Sequence, residues 1–498
     1  MEAILVDRDM PGVTVGEREK HMGLKPLPLF PVSFKEVEVP LSRRLGGERG
    51  INYMRLLNLS RAALCAMAVG VSRASNEYAV RYAKERYAFG EPIASRQAVA
   101  WMLGESAIEV AAMRLMTEEA RRLFGVPVIL IGYVTPEDGE KALREGKADF
   151  IGMNRPLICD PELPNKLRQG RPEDIAPCTR CGTCLDQSEG FLRHCRLNAA
   201  VGFGRYHLPP LKTKKKVVVV GAGPAGMEAA RVAALRGHDV TLLEKSSHLG
   251  GLLPLAALIK GTELEDLPAL VRYLKTQLEK TGVKVRLRTE ASVRSLEGMK
   301  PDVVILATGG VLTAPRVEAN KKARKKVLTT PELHKRVKPY LNLFGPRFLG
   351  WATRYYLPVG KKVVVLGAGL HGMEVAEFLV KRGRKVTLVE PTEVIGEGML
   401  DFRLGLTMEW FAKVGVEIVA GVKDVRVTEK GVVFKDKEGR ERLLEADTVI
   451  PTAPLQPNHD LYEKLEGKVP ELYLIGDGKQ AGMIVHAVRA GYQTAKAL

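Results

Sequence analysis

From residue 211 onward the chain alternates short β-branched apolar runs with stretches in which apolar residues recur every three or four positions. That alternation predicts parallel strands buried on both faces and the helices that cover them. KKVVVVGAGPAGMEAARVAALRGHDVTLLEK at 215–245 returns at 361–391 as KKVVVLGAGLHGMEVAEFLVKRGRKVTLVEP, and Gly367 stands 146 positions after Gly221, as Glu390 does after Glu244. Each copy reads strand, glycine-rich turn, helix, second strand.

The glycines of each GxGxxG turn have separate tasks. Gly221 and Gly367 permit the tight turn, Gly223 and Gly369 let the backbone approach a pyrophosphate, and Gly226 and Gly372 let helix pack on strand. The pyrophosphate would rest on helix N-terminal amides. A carboxylate at the end of the second strand accepts hydrogen bonds from a ribose diol and repels a 2′-phosphate, so Glu390 favours NADH over NADPH. One such turn is also what a close-packed βαβ unit without ligand would show. Two copies, each with its acidic residue, predict two bound dinucleotides.

Two further segments divide the roles. KPDVVILATGG ends a strand in a small-residue turn holding Gly309, and VPELYLIGDGKQAGMIVHAVRAGYQTA places Asp477 between a strand and a helix. Both resemble the distal flavin motifs of the two-dinucleotide flavoprotein reductases, where the aspartate hydrogen-bonds the FAD ribityl chain. The resemblance implies FAD in the first copy, with Glu244, Gly309 and Asp477, over 211–312 and 441–498. An NADH domain over 313–440 would be inserted within it. An ordinary turn aspartate is the plainer reading of Asp477.

With 498 residues, 45% of them hydrophobic, the chain can bury several cores, roughly three domains. No apolar stretch approaches the ~20 residues of a bilayer span and Met1–Arg8 carries no leader pattern, so a cytoplasmic protein without a membrane partner is expected. The formal charge of +18 is spread along the chain, with short clusters at Lys212–Lys216 and Lys321–Lys326. Neither has interleaved aromatics or a nucleic-acid fold, so no nucleic-acid partner is expected. They read as solvated surface that helps attract phosphate-bearing dinucleotides and CoA esters.

Four of the six cysteines fall in PCTRCGTCLDQSEGFLRHC, as Cys178, Cys181, Cys184 and Cys195. Such clustering in a cytoplasmic chain points to metal rather than disulfides. Four thiolates suit a tetrahedral zinc or a [4Fe-4S] cluster, and ligand chemistry alone does not choose. Position favours the cluster, because a one-electron carrier beside a flavin has a use. Cys65 and Cys159 stand in apolar contexts and read as small core residues.

From Val126 to Leu498 the chain resembles the C-terminal part of the 2,4-dienoyl-CoA reductase and 2-enoate reductase group, iron-sulfur flavoenzymes that extend old yellow enzyme. The resemblance is carried by VPVILIGYVTPEDGEKALREGKADFIGMNRPLICDPELPNKLRQGRPEDIAPC, by the cysteines and by both dinucleotide domains in the family's order. Cys184 stands one position earlier than is usual there. The resemblance implies that electrons pass from NAD(P)H to FAD, through a cluster held over 177–210, to an FMN in a (β/α)8 barrel that reduces an activated C=C bond. Residues 124–176 match only the last two βα units of that barrel, with Arg155 where the family holds the FMN phosphate. Two strands cannot close a barrel of eight, so Arg155 reads as a remnant rather than a working FMN site, with apolar strand and helix faces left exposed.

Residues 1–122 resemble acyl-CoA dehydrogenase, beginning inside its middle β-domain. Residues 1–44 match that β part, and 45–123 match helices ending in YAKERYAFGEPIASRQAVAWMLGESAIEVAAMRL. Within it Arg86, Phe89 and Gln97 match residues that in the family touch the FAD of a neighbouring subunit; a surface arginine with a core phenylalanine is the plainer reading. No catalytic base can be named, since Ser60 occupies the position where some relatives carry the glutamate. The expected fold is therefore α/β: two Rossmann-like domains preceded by an incomplete barrel remnant and an incomplete dehydrogenase-like β and helical-bundle fragment.

The join near Phe124 reads in two ways. A natural fusion would use the dehydrogenase remnant for docking or oligomerisation. A truncation or assembly join is favoured by the break in mid-domain on both sides. The expected function is NADH-dependent electron transfer through FAD and an iron-sulfur cluster to an enoyl-CoA or another acceptor, with enoyl reduction by this chain alone not expected. An acyl-CoA dehydrogenase-like flavoprotein and a non-catalytic protein with vestigial pockets are the alternatives.

Overall fold

A computed structural model describes residues 3–19, 29–88, 91–124, 127–131, 134–186, 194–201, 208–261 and 265–498. The chain separates into two compact units, Met1–Gly152 and Met153–Leu498.

The second unit is mixed α/β and is built on parallel sheets. In the first sheet the strand Lys216–Val220 lies between Asp239–Leu243 and Val303–Leu306, with Lys284–Arg286 beyond the former and Glu471–Leu474 beyond the latter. Val217, Val218 and Val219 are wholly buried, as a strand covered on both faces requires. The helix Pro224–Leu235 is almost entirely small or apolar because it is sandwiched between this sheet and the terminal helix Ile484–Ala497. Gly491 permits that approach, since a Cβ there would overlap the Ala225 carbonyl oxygen.

In the second sheet Lys362–Leu366 pairs in parallel with Lys385–Glu390 and with Thr448–Pro451, and Glu417–Ala420 extends the far edge. A further four-stranded sheet joins Glu318–Ala319, Lys423–Val427, Gly431–Lys435 and Glu441–Glu445. Glu441–Glu445 and Thr448–Pro451, which the sequence pattern places in the resumed FAD segment, thus pair with strands of the second copy. Glu441–Glu445 pairs antiparallel with Gly431–Lys435. The return to the first sheet comes only with Glu471–Leu474.

In the first unit two helices, Tyr53–Glu85 and Gln97–Phe124, pack on each other, and a two-stranded parallel sheet joins Ile129–Ile131 to Phe150–Gly152 around the helix Pro136–Arg144. Its buried hydrophobics among the described residues are only Ala83, Val134, Ala142 and Ala148. Ile129, Ile131 and Phe150 are exposed, as are Val71, Trp101, Ile108 and Met116 on the helices. Cys65 is exposed too, which corrects its reading as a core residue.

Candidate functional site

Both glycine-rich turns have the geometry their sequence demands. Gly221 (φ 101°) and Gly367 (φ 98°) occupy backbone conformations that side chains resist. A Cβ on Gly226 would overlap the Gly221 carbonyl oxygen, and one on Gly372 would overlap that of Gly367. Gly223 and Gly369 are the N-caps of the helices that follow. No atom lies within 4 Å of where a Gly223 Cβ would be, and only the Glu397 oxygen, at 3.4 Å, faces that of Gly369. The first helix N-terminus therefore opens onto space for an anion, whereas at the second the Leu370 N–H donates to the Glu397 carbonyl oxygen at 2.9 Å.

The two acidic residues are held alike. Glu244 accepts hydrogen bonds from Ala222 N and Ser246 N, both at 2.7 Å. Glu390 accepts from Ala368 N at 2.7 Å and from Thr392 N at 3.0 Å. Each carboxylate thus ties the middle residue of its turn to the end of the adjacent strand, and further lone pairs remain for ribose hydroxyls.

A cavity of about 730 Å³ runs through the second unit. Gly221, Gly223, Glu244, Gly309 and Asp477 line one part of it, and Leu370 and His371, from the first turn of the second-copy helix, line another. Asp477 accepts from Gly482 N at 3.1 Å, and burial pushes its carboxyl above the usual aspartate range. Cys181 lies at the cavity's third margin. Gly226 and Gly372 act behind the wall, where they let helix meet strand.

The cysteines gather around a second, smaller cavity lined by Cys178, Cys181, Cys184, Cys195 and Cys159. Among the described residues no three side chains already stand at metal-ligand spacing, and residues 187–193, which join Cys184 to Cys195, lie outside those described. Burial, and then the neighbouring thiols, push Cys184 up to about 11. Burial likewise raises Cys178, while a hydrogen bond with Cys159 lowers Cys195. Thiols that repel one another's ionisation in a buried site suit a cation that would hold them all as thiolates. Four thiols around one cavity are the donor type of a thiolate-bound metal or cluster, at a spacing that is not yet that of a formed site. Cys159 is buried, as the sequence suggests, but it is also a fifth thiol at this cavity.

Arg155 opens the short helix Arg155–Cys159 and borders the cysteine cavity. Arg86 lies in the other unit, exposed at the end of the helix Tyr53–Glu85, where its backbone N–H donates to Tyr82 O at 2.8 Å. Phe89 lies outside the described residues.

Sequence reasoning missed a buried charge cluster at the boundary of the two cavities. Arg196, which lines both, donates to Glu265 at 2.7 Å. Glu265 is 1% exposed and also stands 3.5 Å from Lys260 and from Arg403; Lys260 in turn pairs with Glu374 at 2.9 Å. The Nε of Arg196 is buried without a hydrogen-bond partner among the described residues. Cys181 and Arg196 are the residues common to both cavities.

The family model for pyridine nucleotide-disulphide oxidoreductases matches residues 215–491, and that for the acyl-CoA dehydrogenase C-terminal domain matches residues 48–124. The chain belongs to the pyridine nucleotide-disulphide oxidoreductase family, and its class is that of the flavin-dependent oxidoreductases. Among curated relatives it is 34% identical to the NADH oxidase of Thermoanaerobacter brockii, over 76% of this chain and 56% of that protein. It is 31% identical to the cinnamate reductase of Clostridium sporogenes, over 76% and 54% respectively. Among solved structures, a 2-naphthoyl-CoA reductase in complex with 2-naphthoyl-CoA matches with a TM-score of 0.65 at 31% identity, covering 76% of this chain and 56% of that one. The chain thus spans about half the length of these relatives.

Proposed function

We propose that residues 177–498 form an NADH-oxidising electron-transfer module in which FAD occupies the first turn, NADH the second, and a [4Fe-4S] cluster the cysteine cavity. The observation that carries this reading is the single cavity bordered by the first turn with Asp477, by the second-copy helix at His371, and by Cys181. The electron acceptor is an FMN or another centre outside this module; a barrel remnant at 124–176 with an FMN phosphate at Arg155 is a weaker part of the reading, since that guanidinium borders the thiols. FAD, when bound, supplies the change from hydride to single-electron transfer.

The chain's own residues bind and orient. Amides just after Pro224 in the first helix would receive one pyrophosphate, and the second would meet the turn before Leu370–Val380 once the Glu397 carbonyl, which now holds the Leu370 N–H, gives way. Glu244 and Glu390 accept ribose hydroxyls, Asp477 accepts a hydroxyl of the flavin's polyol chain, and apolar walls such as Leu370 and Ile484 exclude water. The relatives' names place cinnamate and an aryl-CoA thioester among the substrates of whole proteins of this type, so an enoyl-CoA or a similar activated alkene is the proposed terminal acceptor of an intact assembly.

NADH-dependent reduction of an artificial dye by the purified chain tests the reading, and no reduction with FAD bound would contradict it. Glu390→Ala is expected to raise the NADH KM by roughly tenfold or more, the loss of charge-assisted hydrogen bonds, and to change the NADPH value little. An equal effect on both would remove the assignment. Gly372→Val, which forces a side chain against the Gly367 carbonyl, is expected to abolish NADH binding in calorimetry while FAD content stays unchanged. Undisturbed NADH binding would mean that the second turn holds no nucleotide.

A further inference from the structure

We propose that the helix Thr330–Tyr355 docks the protein on an anionic membrane surface, lying along it rather than crossing it. No helix among the described residues is long and apolar enough to span a bilayer, so the attachment must be interfacial. The element starts on a capping box between Thr329 and Glu332 and breaks into two helical parts at the non-helical Gly345 (φ 73°), just before Pro346. Leu341 is buried against the body of the unit, and His334, Lys338 and Asn342 reach the large cavity, so one face is anchored.

Around and beyond the break at Gly345 the element carries an exposed row of aromatic rings. Phe348, Trp351 and Tyr355 follow one another at helical spacing, and Phe344 meets Phe348 across the break, with successive ring centroids 5.1, 5.7 and 5.2 Å apart from Phe344 onward. These rings face outward: Trp351 is 55% exposed, Tyr355 78%, and the adjacent Leu343 75%. Contiguous exposed apolar surface of this kind marks an interaction site in a water-soluble fold.

Charge selects the occupant. Residues 321–362 hold twelve Lys and Arg against one acidic residue, Glu332, and so contribute eleven of the formal +18. Arg347 and Arg354 flank the ridge directly and are exposed. A second copy would bring the same positive surface to the contact and be repelled. The rings tilt against one another at 35°, 47° and 60°, closing into a ridge rather than the separated platforms on which bases stack. Aromatic rings flanked by arginines fit the boundary of acyl chains and anionic headgroups, where rings bury their apolar bodies and guanidinium groups meet phosphate. The basic cluster at Lys321–Lys326 then has a role beyond general solvation.

Co-sedimentation of the full chain with phosphatidylcholine vesicles, with and without phosphatidylglycerol, tests the proposal. Binding is expected to the anionic vesicles, weakening as salt rises, with little to the neutral ones. Phe348→Glu and Trp351→Glu, both on exposed positions, are each expected to weaken it on the order of tenfold or more, as is Arg347→Glu with Arg354→Glu. Circular dichroism checks that each variant is folded, and the salt dependence of the unaltered chain stands independently of the variants. Failure to bind anionic vesicles overturns the proposal. So does binding that these substitutions leave unchanged, a chain that dimerises through Phe348 in place of binding vesicles, or one that prefers duplex DNA over them.

Discussion

Glu265→Ala is expected to destabilise the second unit by about 3–5 kcal/mol, the usual cost of stripping the partner from buried charge. The carboxylate is 1% exposed and stands between Arg196, Lys260 and Arg403, so its removal strips a partner from all three, of which Lys260 keeps Glu374. Burial alone would raise its pKa, but Arg196 and then Lys260 outweigh burial and hold it below the usual glutamate range. The sign follows from linkage. A carboxylate with a depressed folded pKa contributes fully above its unfolded value of about 4.3, and the contribution fades as pH falls through the folded value. Thermal denaturation with limited proteolysis checks both parts: the variant should melt earlier than the parent at neutral pH, and the gap should narrow in acid. A variant as stable as its parent at neutral pH would show that the cluster is solvated.

Cys181→Ser is expected to remove iron while leaving FAD in place. Cys181 borders both the cysteine cavity and the large cavity, so it is the thiol through which the two proposed centres are adjacent. Loss of one of four thiolates leaves a cluster without its ligand set, and iron should fall from about four per chain to near zero. Flavin content should persist, since Gly221, Glu244 and Asp477 are untouched. Retained stoichiometric iron would refute this ligand set, and one zinc per chain in the parent would replace the cluster with a structural metal.

What the sequence made legible is local. A glycine needed for a positive φ or a close approach announces itself at Gly221, Gly226, Gly367 and Gly372, because no other residue fits there. The spacing to Glu244 and Glu390 is equally local, being the length of one strand-helix-strand unit. The pairing of Arg196 with Glu265 spans 69 positions and follows no periodicity, so nothing in the pattern could bring them together. The same holds for Cys159, which looked like an ordinary apolar position and lies against Cys195 only in three dimensions. The return of Thr448–Pro451 to the second sheet was hidden because a short apolar strand carries no mark of which sheet it joins.

The exposed faces of the first unit have the same origin. Its helices and strands follow their apolar periodicity, but periodicity states that a face is apolar without supplying what covers it. Ile131 and Trp101 are exposed for this reason. The second unit, by contrast, buries the valines of Lys216–Val220 and Lys362–Leu366.

The account turns on whether one chain joins a nucleotide-reducible flavin to an iron centre. An anaerobic absorbance spectrum of the purified protein, with flavin and iron quantified before NADH is added, tests this most directly. The account predicts bound FAD, iron near about four per chain, and bleaching of the flavin band on NADH addition. Colourless protein, or bound flavin that NADH leaves oxidised, would contradict it.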